Sequence, residues 1–181
     1  MANFTKKAIQ QSFAKLLEER PLSKITVKDL VADCGINRNT FYYYFEDIPE
    51  LIENMVEAEA QLIILAYPTV EKFEDCLETV IDRGLKNKRA VLHIYHSSSR
   101  EIFEHYMWRV CDHVIHAYVT SVLGERVIDE SDRKVIESFL SSLAFGIVSN
   151  WLKNNMSDDI RDMFARLTVL KKEMVEQLLS Q

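Results

Sequence analysis

The sequence is poor in the residues that break and turn a chain: 4 glycines and 3 prolines in 181 residues. An all-β protein of this length needs turn residues roughly every 8–12 positions, so the scarcity excludes a sandwich or barrel and points to helices. Three cysteines, Cys34, Cys76 and Cys111, are odd in number and lack C-x-x-C spacing, which gives neither a disulfide framework nor a zinc site. The opening residues, Met1-Ala2-Asn3-Phe4-Thr5-Lys6-Lys7, carry no apolar run behind their positive charges, unlike a secretory leader. The longest uncharged stretch, Ser138 to Leu152, is 15 residues, short of the roughly 18 that a membrane span needs. No G-x-S-x-G elbow and no glycine-rich phosphate loop occurs, which removes the common hydrolase and nucleotide-binding chemistries. A soluble cytoplasmic protein with no membrane partner, no enzyme activity and no cofactor is expected.

What is present supports a folded, all-α chain. Hydrophobic residues make up 48% of it, enough for a real core. The net charge of −6 is uneven: residues 1–48 sum to +1 and the remainder to −7. Such asymmetry is a prompt to look for an anion-binding end. Apolar residues at Phe4, Ala8, Ile9, Phe13, Leu16 and Leu17 recur at helical spacing, predicting a first helix from a cap at Asn3 or Thr5 to about Arg20. Thr26 to Asp29 forms a capping box for a second helix ending at Cys34, and Gly35 follows where chains leave a helix left-handed. Asn37 caps a third helix, Arg38 to about Tyr44. Two short helices around a glycine turn are a helix-turn-helix arrangement. A fourth helix begins at Asp47, with a capping box closed by Glu50, and stops before Pro68. Five more helices are expected at about 69–85, 87–96, 100–123, 130–154 and 158–179, about nine in all. Domains are expected at 1–47 and 48–181.

Residues 41–45 read Phe-Tyr-Tyr-Tyr-Phe. Five consecutive side chains point all the way round a helix and cannot all be buried. At 100° per residue Phe41 and Phe45 share a face and must anchor the short helix, while Asn39, Tyr43 and Thr40 face the other way with Tyr42 and Tyr44 on the flanks. That outward set suits DNA. An asparagine can pair with adenine, a threonine or an aromatic edge can pack on thymine, and Arg38 can reach a guanine or a phosphate. Tyr42 and Tyr44 would give hydroxyls to phosphates, and Thr26 stands at a helix start suited to another.

Residues 26–45, T-V-K-D-L-V-A-D-C-G-I-N-R-N-T-F-Y-Y-Y-F, resemble the DNA-binding signature of the TetR (tetracycline repressor) family of bacterial regulators, T-x-x-x-[IL]-[AV]-x-x-x-G-[VI]-[ST]-x-[GA]-[TS]-[FL]-Y-x-[YH]-F. The resemblance implies a homodimeric repressor on a palindromic DNA operator, relieved by a small-molecule effector. It makes Thr26, Lys28, Arg38, Asn39, Thr40, Tyr42, Tyr43 and Tyr44 the DNA-contact candidates. Two departures stand out. Asn39 replaces a small residue, and Asp47-Ile48-Pro49 lacks the lysine that the family commonly carries early in the fourth helix, leaving phosphate contacts to Lys6, Lys7, Lys24 and Lys28. Residues 144–156, A-F-G-I-V-S-N-W-L-K-N-N-M, are similar to the C-terminal region of the branch that includes dihydroxyacetone kinase operon activators. An activator, a regulator gated by a partner protein, or a small-molecule binding protein with weakened DNA affinity are the alternatives.

In the second half, Ile136, Phe139, Leu140, Leu143, Ala144, Ile147 and Trp151 form the face expected to be core. Ser138, Ser142, Phe145, Gly146, Ser149 and Leu152, with Phe164, Leu167, Leu170 and Met174 of the last helix, form the expected dimer interface. All five histidines lie between 93 and 116. Helix phase puts His105, Arg109, Asp112 and His116 on one polar side, which argues for a solvated face and no metal. The family analogy points to an effector pocket drawn from Phe73, Leu77, Tyr95, Phe103, Tyr106, Met107 and Trp108.

Overall fold

The computed structural model describes residues 2–68, 73–124 and 128–166. Among these, the regular structure is helical: α1 (Ala2–Glu19), a 3-10 turn (Leu22–Lys24), α2 (Val27–Cys34), α3 (Arg38–Tyr44), α4 (Ile48–Ala66), α5 (Phe73–Lys86), α6 (Lys88–Tyr95), α7 (Arg100–Leu123) and α8 (Glu130–Lys153). Residues 160–166 open a further helix. The expected elements recur with three adjustments. Helix α1 starts at Ala2, ahead of both proposed caps. The expected start of α5 at 69–72 lies outside the described residues. The Asp47 cap forms through the Glu50 N–H at 2.8 Å, but the Glu50 carboxylate reaches back to the Glu46 N–H rather than to Asp47.

Two cores organise the chain. The first joins α1 to α4 through Ile9, Phe13, Leu17, Leu30, Phe41, Phe45, Leu51 and Ile52, and also takes Ile94 from α6. The second gathers Ile81, Tyr95, Trp151, Leu152, Met156 and Ile160, with Leu77, Phe103, Met107, Val148 and Phe164 packed against it. Packing is thus continuous across residues 47 and 48, because α4 serves both halves. Burial at this scale, ~25 cal/mol per Å² of apolar surface, is what stabilises helices as short as α2 and α3.

Helix α8 divides its residues between inside and outside along a line that cuts across both expected faces. Buried Ser141 donates to Asp112 Oδ1 at 3.2 Å, which turns Phe145, Ser149 and Leu152 inward toward α7 and the second core. Leu152 is buried, Tyr95 shares a hydrogen bond with the Ser149 hydroxyl at 3.1 Å, and Phe145 meets Trp108 edge to face at 5.5 Å. Ser138, Ser142 and Gly146 do face outward. So do Ile136, Leu143 and Phe139, the last 66% exposed, all three of which had been expected in the core. Ala144 and Ile147 are half-buried and Trp151 is buried, its indole donating to the Asp158 carbonyl at 2.8 Å. Periodicity showed two apolar faces on α8 but could not say which one α7 covers; the Ser141–Asp112 bond decides that. Leu167, Leu170 and Met174 lie outside the described residues. By length and composition α8 is also long and apolar enough to cross a membrane, although its uncharged run is short. In this fold it packs along α7.

Candidate nucleic-acid interface

The local sequence sets this site in three steps. Thr26 and Asp29 close a reciprocal box at the start of α2: the Asp29 N–H donates to Thr26 Oγ1 at 3.3 Å and the Thr26 N–H to Asp29 Oδ2 at 2.9 Å. Gly35 then adopts φ 67° and ψ 31°, the left-handed conformation that glycine takes without a Cβ penalty, and the chain reverses into α3. Asn37 Oδ1 accepts the Thr40 N–H at 2.8 Å and the Thr40 hydroxyl at 3.0 Å, satisfying the first turn of α3.

The aromatic run divides as its phase requires. Phe41 is 0% exposed and Phe45 2%, their rings 5.9 Å apart. Tyr43 is 78% exposed and Tyr42 53%, the latter edge-on to Phe41 at 5.5 Å. Arg38 and Asn39 are exposed as well. Tyr44 differs from the expected symmetric flank: it is half-buried against the first core, its ring edge-on to Tyr43 at 4.9 Å. Thr40 is half-buried with its hydroxyl hydrogen committed to Asn37, and the Thr26 hydroxyl donates to Asp29 Oδ2 at 2.6 Å. Neither hydroxyl has a hydrogen to spare for a phosphate unless it gives up that bond.

Charge on this face is sorted by hydrogen bonding. Asp33 accepts from Ser12 at 2.7 Å and Lys15 at 2.6 Å, and the Lys15 and Ser12 donors hold its carboxyl below the usual range. Asp29 is held low by the Thr26 hydroxyl and N–H, with Arg20 at 3.5 Å assisting. Both carboxylates of α2 are therefore matched within the protein, while Lys28 and Arg38 stand exposed. Lys6 of α1 places its ammonium 5.6 Å from the Phe45 ring centroid, near the α3–α4 junction where the fourth helix brings no lysine.

The expected effector residues among those described have varied surroundings. Leu77, Phe103 and Met107 pack against the second core and Tyr95 is buried within it, the Arg100 guanidinium 4.5 Å over its ring. Tyr106 turns toward α4 and donates to Glu53 Oε1 at 3.2 Å. The side chain of Phe73 lies outside the described residues. Trp108 lines a groove of about 370 Å³, together with Ile64, Arg109, Asp112, His113 and His116. Arg109, Asp112 and His116 were visible as a stripe in the sequence; their helix phase was the signal. The histidines are also more engaged than a solvated face implies. His93 Nδ1 is 2.6 Å from the Leu17 carbonyl, His96 Nε2 3.1 Å from Asn155 Oδ1, and His113 Nε2 3.0 Å from the Tyr67 carbonyl. His116, though exposed, pairs with Glu137 at 3.1 Å across to α8, and not with a neighbour on its own helix.

A short helix with a buried phenylalanine pair and outward tyrosines, braced by α1 and α2 and carried on a helical body, makes this an all-α protein of the helix-turn-helix class. The model of bacterial regulatory proteins of the tetR family matches residues 13–55, and a transcriptional regulator C-terminal region model matches residues 71–173. The chain belongs to the tetR family. It is similar to the HTH-type transcriptional regulator EthR of Mycobacterium tuberculosis and of Mycobacterium bovis, 36% identical over 82 residues, which is 45% of this chain and 33% of each relative. The match spans about a third of those curated relatives. Its fold is that of the dihydroxyacetone kinase operon activator DhaS, with a TM-score of 0.76 and 16% identity over 95% of this chain and 96% of that one.

Proposed function

We propose that the protein is a homodimeric, cytoplasmic repressor, not an enzyme, that seats its two copies of α3 in successive major grooves of a palindromic operator and releases it on binding a small molecule. The observation that carries this reading is the split between the buried Phe41 and the 78% exposed Tyr43 two residues away: burial of one fixes the presentation of the other. Tyr43, Asn39 and Arg38 read bases, and Tyr42 contacts phosphate. Lys6 supplies the phosphate contact that the start of α4 lacks. The dimer surface is the outward stripe of α8, Val135, Ile136, Phe139, Ser142, Leu143 and Gly146, an apolar face that a second copy would cover.

Operator selection from a random DNA library followed by salt titration tests the reading. Binding should weaken steeply with salt. Lys6→Ala and Tyr42→Phe should weaken all sequences alike, Lys6→Ala also reducing the salt slope by about one, whereas Asn39→Ala and Tyr43→Ala should change which bases are preferred. No specific complex at low salt would leave the protein a regulator that has lost its operator.

A further inference from the structure

The groove beside Trp108 has features of a built site. Its volume of about 370 Å³ falls within the roughly 300–1,000 Å³ of small-molecule sites. Ile64 gives one apolar wall, and Trp108, 37% exposed and edge-on to Phe145, gives an aromatic one. Each polar side chain along it is held from behind by another group, which fixes orientation before any ligand arrives.

Those rear contacts dictate what the front offers. A carbonyl oxygen only accepts, so His113 Nε2, 3.0 Å from the Tyr67 carbonyl, carries the hydrogen and the neutral ring keeps a lone pair on Nδ1. His116 Nδ1 donates to Glu137, leaving a lone pair on Nε2. Asp112 spends Oδ1 on the Ser141 hydroxyl, leaving Oδ2. The one cationic donor among the described lining residues, Arg109, already lies 3.9 Å from Glu57 and over the Tyr106 ring at 5.2 Å. Acceptors and negative charge are therefore in surplus, with Glu57 and Glu137 behind them and Arg133 bound to Glu137. Among the described residues no three of His, Cys, Asp and Glu are placed to hold a metal ion, so the acceptors suit donors spread over an organic molecule.

We infer that this groove binds a small ring-bearing amine, its ammonium donating to Asp112, its ring lying against Trp108 and further N–H or O–H groups of the same molecule reaching the imidazole nitrogens of His113 and His116. An ammonium has three donors and no lone pair, and an indole face attracts cations. An anion of the same size would meet the lone pairs of both imidazoles and the Asp112 carboxylate. The inference rests on the effector reading above and names the class of effector.

The test uses the intact protein without DNA and two planar probes of similar size and opposite charge, proflavine and anthracene-2-carboxylate. Proflavine should bind and quench tryptophan emission, and anthracene-2-carboxylate should bind at least tenfold more weakly or not at all. Asp112→Asn, which keeps an acceptor for Ser141, should weaken proflavine about tenfold, as expected for loss of one charge-assisted contact, and Trp108→Leu should do likewise. Thermal melting of both variants confirms that they remain folded. Equal affinity for the two probes, or proflavine affinity unchanged in both folded variants, overturns the inference. Proflavine binding that depends on Asp112 yet leaves the operator complex intact supports the groove and removes the effector reading instead.

Discussion

Ile94 and Tyr95 are neighbours in α6, yet they belong to different cores: Ile94 packs with Phe13 and Leu17 of the N-terminal head, and Tyr95 with Trp151 and Leu152 of the body. Helix α6 is thus a pin between the two halves, held further by His93 on the Leu17 carbonyl and by the Ala90 N–H on Glu18 at 3.3 Å. Ile94→Ala should cost about 2–4 kcal/mol and lower hydrogen-exchange protection in α1. Tyr95→Phe, which keeps the ring and loses the hydroxyl's hydrogen bonds to the Ser149 carbonyl at 3.3 Å and the Ser149 hydroxyl at 3.1 Å, should cost about 1 kcal/mol and leave α1 protected. Equal loss of α1 protection in both variants would show that the cores do not divide at this residue pair.

The recognition helix should separate folding from binding. Phe41→Ala removes a fully buried ring and should destabilise by about 3–5 kcal/mol, melting the head. Tyr43→Ala, at a position 78% exposed, should leave the melting temperature within a degree or two and change operator preference. A matched loss of stability in the Tyr43 variant would contradict its place on the outer face.

These paired residues also mark what the sequence could disclose. Local chemistry was fully written in it: the Thr26–Asp29 box, the Gly35 turn and the Phe41–Phe45 anchor all depend on residues within five positions of one another. The helices were likewise legible, because periodicity is local. Packing is less legible, since whether Leu77, Tyr95, Phe103 and Met107 leave a cavity or fill it depends on how α5 to α8 approach. The places of Ile136, Phe139 and Leu143 on the outside of α8 were not legible for the same reason. Its partner α7 lies about thirty residues away, and no periodicity announces a single bond between Ser141 and Asp112.

Glu137 joins α7 to α8 and should make stability depend on pH. Burial pushes its pKa up, but hydrogen bonds from Arg133 at 2.8 Å and His116 at 3.1 Å outweigh that and hold it below the ordinary value. A carboxyl lowered in the folded state contributes stability above its unfolded pKa of about 4.3, and the contribution is lost as pH falls through the folded value. Glu137→Gln should therefore be about 1 kcal/mol less stable than the parent at pH 7, allowing for screening of its partly exposed partners. The gap should close in urea melts below about pH 4. A gap that persists there would assign the effect to packing and not to charge.

Gly35 isolates a backbone effect. A Cβ built on it meets nothing within 4 Å, and its φ is +67°. Gly35→Ala should cost about 1 kcal/mol through conformation alone, and Gly35→Asn less, because asparagine tolerates the left-handed region. Equal costs for the two variants in chemical denaturation would point to a clash instead.

Gly146 gives the complementary test, of assembly. It lies in the interior of α8 on the outward side, and a Cβ there also meets nothing within 4 Å of its own chain. In an isolated protomer Gly146→Ala should therefore stabilise by up to about 1 kcal/mol, the ordinary gain in helix propensity. If a second copy packs closely on Phe139 and Leu143, the added methyl enters the contact and the gain becomes a loss. Thermal melts across a hundredfold range of protein concentration distinguish the cases: the dimer proposed above predicts a melting temperature that rises with concentration, and a rise that is smaller in the alanine variant. A concentration-independent increase in melting temperature on substitution would place the dimer surface away from this stripe.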